Sequence, residues 1–346
     1  MEKPSTTMRS RLIRASFIGL GALWALRQMM RSARRLCLEG RTVLITGGSR
    51  GLGLALAREF ARHRARVALC ARNADELAVA EEDIRRCLGE VRTFVCDLRD
   101  AKQIAAMIDQ VEANFGKIDL LVNNAGTITV GPLETMTMAD FQEAMDVNFW
   151  AAVHAALAVV PRMKARGGGR IVNIGSVGGK MPVPHLAPYC ASKFALVGFS
   201  GALRIELLKN DILVTTVNPG LMRTGSPRNA NFKGKHRSEY AWFSVSDALP
   251  GISMGAARAA RRIVSATIHG DAEVTLGLPA KLGSKSYGLL PNLHLELTAL
   301  SNGLFPDVGG IYRASRLGRQ SESLLTESPV RYLGHRAEQQ FNQLSQ

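Results

Sequence analysis

At 346 residues the chain has material for one large domain or two small ones, and 46% hydrophobic with 21% charged residues excludes wholesale disorder. The net charge of +15 is uneven: residues 1–41 hold nine Lys/Arg against Glu2 and Glu39, so +7 of it sits there. No apolar run reaches the roughly 18 residues of a clean transmembrane helix, which excludes a polytopic membrane protein.

Residues 1–40 form a basic and apolar N-terminal segment. Between Arg14 and Arg27 it reads ASFIGLGALWAL, with Ser16 as its polar residue. As a helix that run is about 18 Å long, short of the roughly 30 Å hydrocarbon core. From Leu12 to Met30 it reaches nineteen residues if Arg14 and Arg27 snorkel toward headgroups. The middle has no polar face for an in-plane helix, and a signal peptide would want an A-x-A-like site. The segment therefore reads as a membrane anchor or insertion, with a protein-packed helix or a targeting segment as alternatives. Arginines on both sides leave its orientation open. The expected location is membrane-associated, with the main domain on the cytoplasmic side.

From Arg41 onward, β-rich runs alternate with helix-length stretches. Strands are predicted at Thr42–Thr46, Arg66–Cys70, Arg92–Cys96, Leu120–Asn123, Arg170–Ile174, Leu213–Val217 and Glu273–Leu276. Continuous apolar runs such as Val43-Leu44-Ile45 suit a parallel sheet covered on both faces. Repeated βα units with right-handed crossovers predict an α/β, doubly wound (Rossmann-type), seven-stranded parallel sheet over residues 41–278. Residues 279–346 form an extension that starts with apolar, helix-like text (Leu289–Leu304) and finishes in a polar tail expected to be mobile.

The first βα junction reads Thr46-Gly47-Gly48-Ser49-Arg50-Gly51-Leu52-Gly53. Gly47 allows a tight turn out of the strand, and glycines at a helix start let backbone N–H groups reach a pyrophosphate with no Cβ in the way. An NAD site would carry Asp or Glu at the end of the second strand. Here that strand ends Cys70-Ala71-Arg72, with no acid until Asp75. Arg50 in the loop and Arg72 together suit a 2′-phosphate, so NADP is expected over NAD.

Five cysteines (Cys37, Cys70, Cys87, Cys96, Cys190), an odd number without C-x-x-C spacing, argue against a disulfide framework and predict reduced, mostly buried thiols. The seven histidines form no ligand cluster, so no metal site is expected. Neither zinc-finger spacing nor an aromatic RNP-like run supports a nucleic-acid partner.

Tyr189-Cys190-Ala191-Ser192-Lys193 stacks Tyr and Lys on one helical face, where an ammonium favours a phenolate. Ser176 follows the fifth strand, at the edge where ligands bind, and its hydroxyl can donate to a developing oxyanion. With these, the chain resembles the short-chain dehydrogenase/reductase family: TGGSRGLG at 46–53, CDL at 96–98, NNAG at 123–126, Asn148, Ser176, YCASK at 189–193 and PG at 219–220. The resemblance spans about 235 residues in the family's order. It implies that Tyr189 is the proton donor in reduction, that Lys193 binds the nicotinamide ribose and depresses the Tyr189 pKa, that Ser176 orients the substrate oxygen and that Asn148 holds a relay water. It further implies cofactor contacts from Gly47, Ser49, Arg50, Gly51, Leu52 and Gly53, from Arg72, from Asp97 at the adenine with Leu98, from Asn124, and from Pro219, Gly220 and Thr224 around the nicotinamide.

The substrate side falls in Leu221–Ala248, which carries Arg223, Arg228, Lys233, Lys235, His236 and Arg237. It reads as a basic lid for an acidic or acyl-carrier substrate, a surface that leans on anionic lipid, or a solvated loop. Residues 229–237 suit a mobile closing segment. The expected function is NADPH-dependent interconversion of a carbonyl and an alcohol on a lipophilic substrate such as a steroid, retinoid or long-chain carbonyl. The alternatives are a 3-oxoacyl thioester ketoreductase and a non-catalytic NADP-binding scaffold; the family resemblance implies a homo-oligomer, a dimer or tetramer, which the N-terminal segment or the tail could block, so the assembly stays open.

Overall fold

The computed structural model describes residues 21–22, 24–86, 89–323, 326 and 332–344. Most of the expected anchor, residues 12–20 and 23, lies outside the described residues, as does Cys87. Seven strands form at β1 (Thr42–Thr46), β2 (Arg66–Ala71), β3 (Val91–Val95), β4 (Leu120–Asn123), β5 (Gly169–Ile174), β6 (Ile212–Pro219) and β7 (Glu273–Leu276). They make one sheet in the order β7-β6-β5-β4-β1-β2-β3, every neighbouring pair parallel. β3 lies one residue earlier than expected, and β6 runs from Ile212 through Pro219. In the central β1 all five residues are buried, as a strand covered on both faces requires. The order reverses between β1 and β4, and a ligand crevice opens there at the carboxyl edge.

The helices are α1 (Gly51–Arg62), α2 (Ala74–Arg86), α3 (Ala101–Phe115), α4 (Met138–Met145), α5 (Ala151–Ala165), α6 (Ala187–Leu207), α7 (His236–Ala248), α8 (Ala256–His269), α9 (Leu278–Leu289), α10 (Pro291–Asn302) and α11 (Tyr332–Gln340). Strand alternation sorts the core into two layers. Val43 and Ile45 face Leu54, Phe60, Leu77, Ile84 and Ile263 of α1, α2 and α8. Leu44 faces Ile104, Ile108, Ala155 and Val159 of α3 and α5. Asp100 caps α3, accepting from Lys102 N at 2.8 Å, and Gly116 closes it at φ 78°. A π-helical segment, Asp146–Trp150, joins α4 to α5. The resulting helix, Met138–Ala165, has the length and hydropathy of a membrane span, yet its Ala151, Ala155, Val159 and Met163 pack in the sheet core.

Residues 24–33 are helical and expose Trp24, Leu26, Met29 and Met30. Arg31 ties them to Asp271 at 2.7 Å, and Leu36 N donates to Ile268 O at 2.9 Å. Two expectations change. The segment around 229–237 is held rather than loose: Asn231–Phe232 pairs with Thr129–Val130 and with Arg316–Leu317, and Lys233 is buried in an ion pair with Asp140. The polar tail does not stand in solvent either. Its described part, 332–344, buries Ala337 and Phe341 in the α1 layer, because those two apolar positions lie on one face at helical spacing. Cys70, Cys96 and Cys190 are buried, whereas Cys37 is exposed.

Candidate active site

The turn after β1 is shaped by close approach. Gly47 sits at φ +63°, where a Cβ would come within 2.8 Å of Ala125 Cα, and a Cβ on Gly53 would meet Gly47 O at 2.1 Å. Asn124 laces the two central strands at their carboxyl ends, its Nδ2 donating to Thr46 O at 3.0 Å and Gly47 O at 2.9 Å. α1 then starts on Gly51 with no side-chain cap from Arg50 and no acid in its first turn. The N–H groups of that first turn and the positive end of the helix dipole suit a phosphate, with Gly51 N donating to Phe341 O at 2.9 Å in this structure. Across the crevice, β6 ends at Pro219, Gly220 N is held by Leu276 O at 2.9 Å, and Thr224 turns back toward the loop. A Cβ on Gly51 would lie 3.9 Å from Thr224 Cβ and 3.6 Å from Ser226 Oγ. The cradle fits a dinucleotide pyrophosphate.

The basic groups expected to meet a 2′-phosphate are arranged differently from one another. Arg50 is engaged: its Nη1 lies 2.8 Å from Glu76 Oε1, while Ser49 Oγ donates to Glu76 Oε2 at 2.9 Å. Glu76, one residue past the acid considered from sequence, was missed because helix phase rather than proximity in sequence turns it into the loop. Arg72 is exposed at the end of β2 and helps, after Arg99, to hold the Asp97 carboxyl below its ordinary range. Leu98, beside Asp97, is buried.

The second cluster assembles at the ends of β5 and α6. Ser176 Oγ accepts from Gly178 N at 3.0 Å and is a polar neighbour that favours the Tyr189 phenolate. Lys193, one turn on, is buried; its Nζ donates to Ile174 O at 2.8 Å and lies 5.8 Å from the Tyr189 ring centre. Burial pushes the Tyr189 phenol up to about 12, against the lowering effect of Ser176, and pushes Lys193 down to about 8. The expected depression of Tyr189 by Lys193 is thus absent in this state, since the ammonium is directed at a carbonyl and burial disfavours its charge. Asn148 occupies the π-helical segment, which carries its side chain inward. Its Oδ1 accepts from Thr127 N at 2.9 Å, and its Nδ2 donates to Thr127 O at 3.1 Å and Ser192 Oγ at 2.9 Å. Ser192 Oγ in turn donates to Tyr189 O at 2.8 Å. Ser192 is a positioning residue that the motif contained but its spacing did not single out.

The sequence profile of short chain dehydrogenases matches residues 41–233. The chain belongs to the short-chain dehydrogenase family. Among its relatives, the oxidoreductase SadH of Mycobacterium tuberculosis is 35% identical over 247 residues, 70% of this chain and 88% of that one. The ketoacyl reductase HetN of Nostoc sp. is 36% identical over 183 residues, 53% of this chain and 64% of its own. Of solved structures, the L-sorbose reductase from Gluconobacter frateurii, complexed with NADPH and L-sorbose, has 27% identity and a TM-score of 0.63 over 70% of this chain and 97% of that one. An actinorhodin polyketide ketoreductase with NADPH has 30% identity and a TM-score of 0.62 over 68% and 95%. As a short-chain dehydrogenase, this protein is a nicotinamide-dependent oxidoreductase acting on CH–OH or carbonyl groups.

Proposed function

We propose that this short-chain dehydrogenase is an NADPH-dependent reductase of lipophilic carbonyl compounds that works at a membrane surface. The observation that carries the reading is the setting of Tyr189. It packs with Ile128, Val183 and Trp242 against a buried cluster of Val130, Leu186, Phe232 and Phe243. Such walls favour an apolar substrate, because a polyhydroxylated one would leave its hydroxyls unpaired against them. Gly283 of α9 meets the side chain of Met181, two residues before Val183 in sequence, so closely that a Cβ there would fall 2.7 Å from its sulfur. From there α9 and α10 carry the exposed Leu278, Leu282, Leu289, Leu293, Leu297 and Leu300. An apolar route to Tyr189 is supported by that continuity. Trp150, Leu157 and Ile205, exposed on or beside α5 and α6, support self-association.

NADPH is favoured by Arg72 at the end of β2 and by the lack of an acid at that position, with Glu76 already held by Ser49 and Arg50. When bound, the dihydronicotinamide supplies a hydride to the carbonyl carbon. Ser176 Oγ holds the carbonyl oxygen as charge builds there, and Tyr189 Oη gives that oxygen its proton. The Asn148 amide is engaged by Thr127 and Ser192, which ties the expected relay residue to the turn of α6 that carries Tyr189. The acyl-carrier alternative is weakened by pairing: Arg228 with Glu322, Lys233 with Asp140 and Lys235 with Asp307 neutralise three of the five lysines and arginines of the expected basic face.

NADPH oxidation by the detergent-solubilised full chain, against ketosteroids, retinal, long-chain aldehydes and acetoacetyl thioesters, tests this reading. Turnover is expected with a lipophilic carbonyl, weakly with NADH, and not in Tyr189→Phe. Turnover confined to the thioesters would replace the lipophilic substrate with the acyl-carrier one.

A further inference from the structure

We infer that the chain's own C-terminal segment, residues 332–344, is an intramolecular ligand of the phosphate-binding turn and competes with the dinucleotide for it. This rests on the reading of the β1–α1 turn as an NADP(H) site. α11 packs on α7 and beside Met222–Arg223, and its Ala337, with Phe341 just beyond it, enters the core layer that α1 helps to form. Arg58 of α1 sits 5.4 Å over the Phe341 ring and donates to Gln340 O at 2.9 Å. Past the helix the chain enters the crevice. Phe341 O accepts from Gly51 N at 2.9 Å. Asn342, at φ 54°, turns the backbone, and its Nδ2 donates to Ser49 O at 3.0 Å and Glu76 O at 3.2 Å.

Gln343 completes the occupation. Its Nε2 lies 2.9 Å from where a Gly51 Cβ would stand, and its Cγ lies 3.0 Å from where a Gly225 Cβ would stand. Asn229 Nδ2 donates to its Oε1 at 2.6 Å. The buried Gln343 side chain therefore bridges the glycine turn and the Thr224–Ser226 turn, the two walls between which a pyrophosphate would pass. A glycine at a helix start serves a phosphate by leaving open the volume a Cβ would fill and by offering its N–H. At Gly51 the tail takes both: a carbonyl oxygen accepts from the N–H and an amide fills the volume. Two occupants cannot share a space of that size, so cofactor binding displaces residues 341–343. The tail's groups here are neutral amides and a carbonyl, whereas a phosphate brings full charge to the same donors. Displacement by the dinucleotide is thus favoured electrostatically.

The test is NADPH binding, followed by nicotinamide fluorescence, to the full chain, to Gln343→Ala and to a chain ending at Gln340, with hydrogen exchange over 332–344 read in the full chain. Removing one or two competing hydrogen bonds should tighten NADPH by about threefold to tenfold in Gln343→Ala. The shortened chain should bind more tightly still, and a peptide of residues 332–346 added to it should weaken binding again. Exchange over 332–344 should speed up when NADPH is added. Unchanged or weaker binding in Gln343→Ala, or slower exchange on adding NADPH, overturns the inference while leaving the cofactor reading intact. Failure of every form to bind NADPH removes the cofactor reading itself, and this inference with it. If the shortened chain loses its thermal transition, Gln343→Ala and the exchange measurement decide.

Discussion

Burial acts on Tyr189 and Lys193 in opposite senses although one helical turn separates them, holding the phenol protonated up to about 12 and letting the ammonium discharge near 8. A protonated phenol is the form that reduction needs, so Tyr189 should not limit the reductive rate at neutral pH. Tyr189→Phe is expected to lower turnover by about 100-fold or more while NADPH binding persists, since the general acid is lost and the cofactor cradle is not. Lys193 also has a signature in stability. Its folded pKa lies below the unfolded value of 10.5, so between about 8 and 10.5 the unfolded chain binds more protons and stability rises with pH. The urea midpoint of the wild type should therefore climb more from pH 7.5 to 10 than that of Lys193→Met, with a difference approaching about 3 kcal/mol in unfolding free energy. The Tyr189 shift works the other way and only above about pH 10, where the unfolded chain loses its proton first. On the cofactor side Arg72 is exposed and Arg50 is shared with Glu76. Arg72→Ala should raise KM for NADPH by about tenfold with little change for NADH, as the loss of a charge-assisted hydrogen bond to a 2′-phosphate requires; equal effects on both cofactors would point to a structural role.

The elements divide by how local their signals are. The β1–α1 turn announces itself because its chemistry lies within eight consecutive residues, 46–53, and each glycine answers to a contact. Gly53→Ala would drive a Cβ to 2.1 Å from Gly47 O, so a fall in thermal midpoint together with loss of NADPH binding is expected, at a cost of about 2 kcal/mol or more. The central strands were legible for a similar reason: a buried parallel strand is an unbroken apolar run, and β1 and β4 fall where the pattern put them; the edge strand β7 falls there too, although only Leu276 of it is buried. The π-helical segment was not legible. Asp146–Trp150 reads as ordinary helix, and its extra residue per turn is specified by the fit of Asn148 to Thr127 and Ser192, contacts that only the assembled fold creates. The same holds for residues 229–237. Glycine, asparagine and lysine suggested a loose loop, but Phe232 finds Val130 on one side and Arg316 on the other. Long-range pairing overrides local composition there.

At the scale of the whole molecule, the first and last described segments both return to the catalytic domain, and both meet the core layer formed with α1 and α8, at different points of it. The C-terminal segment reaches the cofactor turn, whereas the N-terminal helix is fastened to the end of α8 through Arg31 and Asp271. Beside that fastening lies a cleft of about 440 Å³ lined by Arg31, Arg258, Arg261 and Arg262, with Ser265 and Asp271. Asp271 is committed to Arg31, and Arg258, Arg261 and Arg262 are exposed with no ion pair among the described residues. The same helix exposes Trp24, Leu26, Met29 and Met30. Unpaired arginines next to exposed aromatic and aliphatic side chains match the two layers of a bilayer surface, charge at the headgroups and apolar groups below them. Each basic side chain near an anionic surface contributes about 1 kcal/mol, and that contribution is screened by salt. The full chain should therefore co-sediment with phosphatidylglycerol-containing vesicles more than with phosphatidylcholine ones, and less at high salt. The triple variant Arg258→Gln, Arg261→Gln, Arg262→Gln should bind at least about tenfold more weakly while keeping NADPH affinity, because these exposed side chains line the cleft at Arg31. Binding that ignored both salt and the triple variant would shift the membrane contact to the leucines of α9 and α10, whose exposed face needs no charge to partition into lipid.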